Sequence, residues 1–502
     1  MTNVWNRLKD YIKSLELDLS DLMLATGFLF FVPFAAFAWQ FMVNADPTNV
    51  FFRPWMMIVC FTVSVCCLSV YFYIEIKRGR LKNNFFLWGF VFLTVLGLIA
   101  VLVQPETVKF FVECKKEPTG VCDAWNNGIY SHVKVGDIVE VVHTISPTHR
   151  LFFSFATVLI TTVYFIIFTL LPRRLKDLNF LILCAVCTFG FLLVASIYSY
   201  IKDGQYYLPF LQALFKGDNA TMQHNADMIQ SFMTHRVPYG VCMMLGCMFA
   251  LLCHTLTKKW YWFIPFSYCF INMIFTWCKT ALLITPIALV VYIVLQLVES
   301  FKDHKKRNTI IFIVGGSLIG VFALLVLVSV LTHGKFLGPI NSLVETVTKT
   351  DTIKTRSWIW QNINQELAHG WWLLGRGFGT HNSMLFPMNI VNNDMVCPSH
   401  STYYAVLGQG GVFTLIGLIG AYVYYGYVFY RCFRVNKHMT MQLSVPFLAY
   451  FAYTFTEGVN YLVVVFMLPL IWYYFQIRRG LMEKDNETAK EYVKQFETNS
   501  RY

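Results

Sequence analysis

Charged side chains are scarce in this sequence: 14% of its 502 residues. An ordinary soluble chain carries about a quarter. So few charges cannot cover a water-exposed surface of this size, which excludes a soluble globular protein. Acidic residues are the scarcer sign, 28 against 40 Lys and Arg, for a formal net charge of +12. That excess does not mark a nucleic-acid binder, because the basic residues sit in short loops between apolar runs and read as topology signals. Ionisable residues are nearly missing from the middle of those runs. Ion-coupled carriers and pumps need them near the bilayer midplane, so this argues against a conduction pathway. No close acidic pair and no DxD motif occurs in the long polar loops, so no metal site is expected. Internal repeats and low-complexity tracts are also missing. The first 19 residues have no apolar core and no small-residue cleavage site, so no cleavable signal is expected. Val4, Leu8, Tyr11 and Leu15 share a helical face, making 1–21 an amphipathic segment at the membrane surface.

What is abundant is apolar: 56% of residues are hydrophobic and 17% aromatic. The apolar residues come in runs of about twenty, the length that crosses the hydrocarbon core. Twelve spans are predicted, at 22–43, 55–76, 85–104, 151–171, 180–201, 238–257, 260–277, 281–299, 309–331, 405–430, 441–457 and 461–477. The expected fold is an all-α polytopic membrane protein. It has spans 1–9 within 22–331, a long extracytoplasmic loop at 332–404, spans 10–12 within 405–477 and a charged tail at 478–502. Every second loop is basic: 77–84, 172–179, Lys258-Lys259, 301–308 and 431–438. By the positive-inside rule these loops and both termini face the cytoplasm. The loops 105–150, 202–237 and 332–404 then face outward, and loops of such length usually carry function. Of 14 cysteines, most lie inside apolar runs, where cysteine is a small core residue. Cys184 and Cys187 have CxxC spacing but lie mid-span without a partner pair. Cys114 and Cys122 fall in an outward loop, where a structural disulfide is permitted and two free thiols are the alternative.

One constellation stands out in the third outward loop and the span after it: His400-Ser401, nine residues, then Gly411-Val-Phe-Thr414. Upstream lie Arg356-Ser-Trp-Ile-Trp360 and Leu374-Gly375-Arg376-Gly377-Phe378-Gly379. This pattern resembles the signature of the O-antigen ligases, whose superfamily also includes O-antigen and capsule polymerases. The resemblance covers about 235–420; elsewhere only the layout is similar, twelve spans with the long loop between spans nine and ten.

The resemblance implies a glycosyltransferase in the bacterial inner membrane, working on its outer, periplasmic face without metal or other cofactor. The donor would be a glycan on undecaprenyl diphosphate. The acceptor would be a lipid A-core sugar for a ligase of lipopolysaccharide synthesis, or another lipid-linked glycan for a polymerase. Such a reaction needs cationic groups for the leaving diphosphate, which arginine meets in pairs, and a base for the acceptor hydroxyl, which a histidine supplies near neutral pH. His400 is the expected base; a histidine holding a span end is the alternative. Arg356, Arg376, Arg236 and Lys279 are the expected diphosphate ligands. Against this, Arg356 sits beside interfacial tryptophans, Arg376 lies in a glycine-rich turn, and Arg236 stands at a span boundary where arginines snorkel. Lys279 follows Cys278 where the family often has Ser-Arg, so bidentate geometry is lost there. His381-Asn382 resembles a second start of the histidine motif, but position 392 is Asn rather than Gly. Glu457 would orient a base or bind a sugar, or else serve as a helix-end carboxylate. Two other classes stand beside the transferase: a glycolipid transporter, which would need a charged lumen, and a non-catalytic assembly partner, which would not need the arginine–histidine set. Membrane lipid is a partner under all three readings, and nucleic acid under none.

Overall fold

The computed structural model describes residues 19–20, 22–24, 26–30, 54–79, 85–103, 107–113, 134–135, 138–144, 147–174, 178–231, 236–300, 360, 364, 372–375, 401–455 and 462–480. Nearly all of these are helical. Helices α1 (Pro54–Lys77) and α2 (Phe85–Val103) come first. Then α3 (Pro147–Phe165) runs through a π-helical turn, Ile166–Leu170, into a last turn, Leu171–Arg174. After it come α4 (Asn179–Lys202), α5 (Gly204–Lys216) and α6 (Asn219–Met228). The later helices are α7 (Arg236–Thr257), α8 (Phe263–Thr276), α9 (Lys279–Ser300), α10 (Thr402–Val435), α11 (Lys437–Tyr453) and α12 (Leu462–Gly480).

Among the described residues, α1, α2, α4, α7, α9, α10 and α12 are long and apolar enough to cross a membrane. The chain is therefore a helical membrane protein. In hydrocarbon every backbone amide needs an internal partner, and a helix provides one for each. Helices α3, α8 and α11 lie where spans four, seven and eleven were expected, but their apolar stretches are shorter. The ninth expected span, 309–331, lies outside the described residues.

The helical expectation holds for every described segment but one. In the loop at 105–150, β1 (Thr107–Glu113), β2 (Lys134–Val135) and β3 (Ile138–Thr144) form an antiparallel sheet in the order β1-β3-β2. Thr107 pairs with Thr144 and Glu113 with Ile138, while Val135 pairs with Ile138 from the other side. The run Ile138-Val-Glu-Val-Val-His-Thr144 is rich in β-branched residues, which suit a pleated strand. Cys114 and Cys122, in the same loop, lie outside the described residues.

Helix α7 is the centre of the bundle, buried over 83% of its span, whereas α2 is buried over only 17% and turns its side chains outward. Residues from Tyr239 to Cys253 on α7 are buried on every side, against α4, α8, α9 and α11. Among the described residues most buried polar side chains are paired. Thr188, Ser196 and Thr255 donate to the carbonyls four residues back, at 2.8, 2.8 and 2.9 Å. At one end of the bundle His254 Nδ1 meets Tyr292 Oη at 2.7 Å and Lys258 Nζ donates to Gln442 Oε1 at 3.0 Å. These bonds put the C-terminal ends of α7 and α9 beside the N-terminal end of α11. At the opposite end, Thr402 N donates to Thr454 O at 2.9 Å, setting the start of α10 on the end of α11.

Candidate functional site

The loop at 202–237 builds a helical cap on the α7 N-terminus. Gly217, with φ +72°, ends α5, and the Asp218 carboxylate starts α6 by accepting from Thr221 N at 3.0 Å. Those hydrogen bonds from Thr221 hold Asp218 below the usual carboxylate range. The cap is pinned by Asp203, only 4% exposed. Its Oδ2 accepts from Ser231 N at 2.8 Å, Ser199 Oγ at 3.0 Å and Gln230 N at 3.2 Å. Ser231 sits at φ +59°, and its hydroxyl donates to Ala195 O at 2.6 Å. Burial pushes the Asp203 carboxyl above its ordinary range, and the three donors pull it back.

Arg236 opens α7 directly beneath this cap. Its Nε lies 2.7 Å from Asp227 Oδ1, and with the Gln223 amide assigned by its surroundings, the side-chain carbonyl accepts from both terminal nitrogens. The guanidinium is 15% exposed and Asp227 45%. In this state Arg236 is therefore occupied by α6.

Four residues after Arg236, Gly240 lets the turn between α8 and α9 press against α7. A Cβ there would lie 2.6 Å from Cys278 Cβ and 2.8 Å from Thr276 Oγ1. That turn carries Lys279, the first residue of α9, so the two expected cations of this region share one corner of the bundle. Cys278 also meets Tyr453 Oη at 3.5 Å, and Tyr450 Oη donates to Val241 O at 3.2 Å. Tyr453 is followed by Thr454, whose carbonyl holds Thr402 and whose Oγ1 lies 3.3 Å from Tyr403 Oη. Contacts thus run unbroken from Arg236, through the Cys278 turn and the end of α11, to the residues that follow His400. His400, Arg356, Arg376, His381 and Glu457 themselves lie outside the described residues.

Helix α10 covers the span expected at 405–430, and near its start two helices join at a kink. Its 34 residues would measure about 51 Å, well beyond the ~30 Å hydrocarbon core. Gly411 breaks it with φ +65° and ψ −167°, a conformation open in practice only to glycine. The Thr414 hydroxyl donates to Gly410 O at 2.8 Å across the break. Segment 372–375 crosses at this point, with Val412 N donating to Trp372 O at 2.8 Å. A Cβ on Gly411 would collide with the carbonyl of Leu373. A Cβ on Gly375, itself at φ +63°, would lie 2.5 Å from Gly411 N. The glycines of two separate sequence motifs therefore exist to meet each other. Gly411 and Thr414 are architectural: they make the notch that receives the residue before Arg376. The third motif docks one step above, where Trp360 stacks on Tyr404 with centroids 5.1 Å apart and planes at 3°.

Two polar atoms at this end of the bundle were not singled out by their sequence. Trp277, at φ +46° and 5% exposed, has a buried indole Nε1–H with no acceptor. Gln409, also 5% exposed and directly under Gly375, has a buried Oε1 with no donor. Buried polar groups are nearly always paired, so the two stand out from their surroundings. The signal is tertiary, since neither residue stands out by spacing. Among the described residues no three His, Cys, Asp or Glu come together as a metal site. No family model, no curated protein and no solved structure matches this chain.

Proposed function

We propose that this protein is a metal-independent glycosyltransferase of the O-antigen ligase type, set in the inner membrane with its site facing the periplasm and both termini in the cytoplasm. It moves a glycan from undecaprenyl diphosphate to a sugar hydroxyl of lipid A-core. The observation that carries this reading is the meeting of three motif segments on the first part of α10. Trp360 of the Arg356 motif, Gly375 of the Arg376 motif and Ser401–Gly411 of the His400 motif pack together. This is the same end of the bundle as Arg236 and Lys279.

In the reaction, His400 takes the proton of the acceptor hydroxyl as its oxygen attacks the anomeric carbon. The bond from that carbon to the diphosphate oxygen breaks, and the diphosphate leaves on its lipid. Arg356, Arg376 and Arg236 offer paired donors to the charge that builds there, and Lys279 offers a point charge. For Arg236 this requires exchange of Asp227 for a phosphate oxygen. The opposite arrangement of basic loops supports the outward orientation.

The test is a glycan profile of a deletion strain, complemented with wild type or with His400→Ala. Long polymer accumulating on the lipid carrier in the deletion strain is the ligase result. Single repeats on carrier and surface would make the protein a polymerase instead. Wild-type glycan from His400→Ala at normal expression would remove the histidine from the chemistry.

A further inference from the structure

At the other end of the bundle, the C-terminal ends of α10 and α12 enclose a cavity of about 470 Å3. It is lined by Tyr427, Arg431, Arg434 and Val435 of α10 and by Tyr474, Ile477 and Arg478 of α12. The Tyr427 and Tyr474 rings meet edge to face at 6.2 Å and form one wall. Arg173, from the turn after α3, stacks on Phe475 at 5.4 Å and adds a fourth guanidinium to the neighbourhood. Among the described residues, no carboxylate pairs with Arg431, Arg434 or Arg478. A pocket with three arginines that no described carboxylate meets, two phenol groups and two aliphatic side chains is chemically a phosphate site with an apolar flank. Its arginines lie in the last turns of long apolar helices, the position where basic side chains reach for headgroups.

We propose that this cavity binds the headgroup of an anionic phospholipid from the leaflet at the Arg478 end of the bundle. The three guanidiniums would take the phosphodiester, the tyrosine hydroxyls its polar substituent, and Val435 and Ile477 the start of the acyl chains. Both paired recognition of phosphate by arginine and basic pockets between helix ends suit such lipids. The proposal does not rest on the glycosyltransferase reading.

The experiment uses the full chain, purified in detergent and stripped of lipid, with thermal unfolding followed as lipid is added. Three probes are compared: phosphatidylglycerol, phosphatidylcholine and inorganic phosphate. Wild type should be stabilised by phosphatidylglycerol alone. Arg431→Gln/Arg434→Gln should unfold at the wild-type temperature without lipid, yet bind phosphatidylglycerol about tenfold more weakly or worse. Arg479→Gln, next to the cavity but not lining it, should respond as wild type. Equal stabilisation by phosphatidylcholine, or an unchanged response in the double variant, would overturn the proposal. An equal response to inorganic phosphate would make the cavity a free-anion site and overturn the lipid assignment.

Discussion

At the Arg236 end of the bundle, backbone is packed on backbone; at the Arg478 end, side chains stand apart around open space. The first end needs glycine at Gly240, Gly375 and Gly411 because three chain segments approach more closely than a Cβ allows. It also leaves two polar atoms, Trp277 Nε1 and Gln409 Oε1, buried and unpaired. The second end tolerates exposed arginines and a cavity of about 470 Å3. A dense, over-determined region can hold groups in fixed geometry, as a reaction site requires. A loose, charged region can accept lipids of varied shape. The difference teaches that substitutions of similar size should act very differently at the two ends.

The largest effect is expected at the notch. Gly411→Val places a branched side chain at φ +65° against the Leu373 carbonyl. It should destabilise the protein by roughly 3 kcal/mol or more in thermal unfolding and remove its surface glycan. A Gly411→Val protein with wild-type stability would show that the ends do not differ in packing. Next is Arg236→Ala, which should lower transfer activity by about 10²–10³-fold while changing stability little, since its partner Asp227 is 45% exposed. Arg236→Lys should recover only part of that loss, because lysine cannot offer paired donors.

Asp203 gives a smaller effect, read from pH. Burial raises its carboxyl pKa in the folded protein. The folded state therefore holds the proton more tightly than the unfolded chain does. The resulting stabilisation is full below the ordinary carboxylate pKa and is lost as pH rises through the raised folded value. Unfolding temperature followed from pH 4 to 7 should show that loss in wild type, and Asp203→Asn should flatten it. The smallest change is expected from Trp277→Phe. It removes an N–H that has no acceptor, so stability should stay within about 0.5 kcal/mol. A raised KM for the lipid donor, with kcat unchanged, would identify the indole as a donor to bound substrate.

Much of the helical framework was legible in apolar run length. The run at 55–76 became Pro54–Lys77, and that at 238–257 became Arg236–Thr257. Loop charge separated the two ends before any contact was known. The kink in α10 was not legible, because its cause is the distant segment 372–375 rather than the local sequence. Gly411 could be seen as part of a motif, but not as the floor of a notch. The sheet at 107–144 carried a usable sign in the β-branched run of β3, outweighed by the helical character of the rest. The occupied state of Arg236 was hidden because Asp227 and Gln223 belong to a cap helix inside a loop read only by its length.

The central claim is that glycan transfer belongs to the dense end and is separable from lipid binding at the loose one. The most direct measurement is release of undecaprenyl diphosphate by purified protein in vesicles, supplied with lipid-linked glycan and a lipid A-core acceptor. The account predicts release by wild type, none above background by His400→Ala, and near-wild-type release by Arg431→Gln/Arg434→Gln. Equal release by wild type and His400→Ala would contradict it.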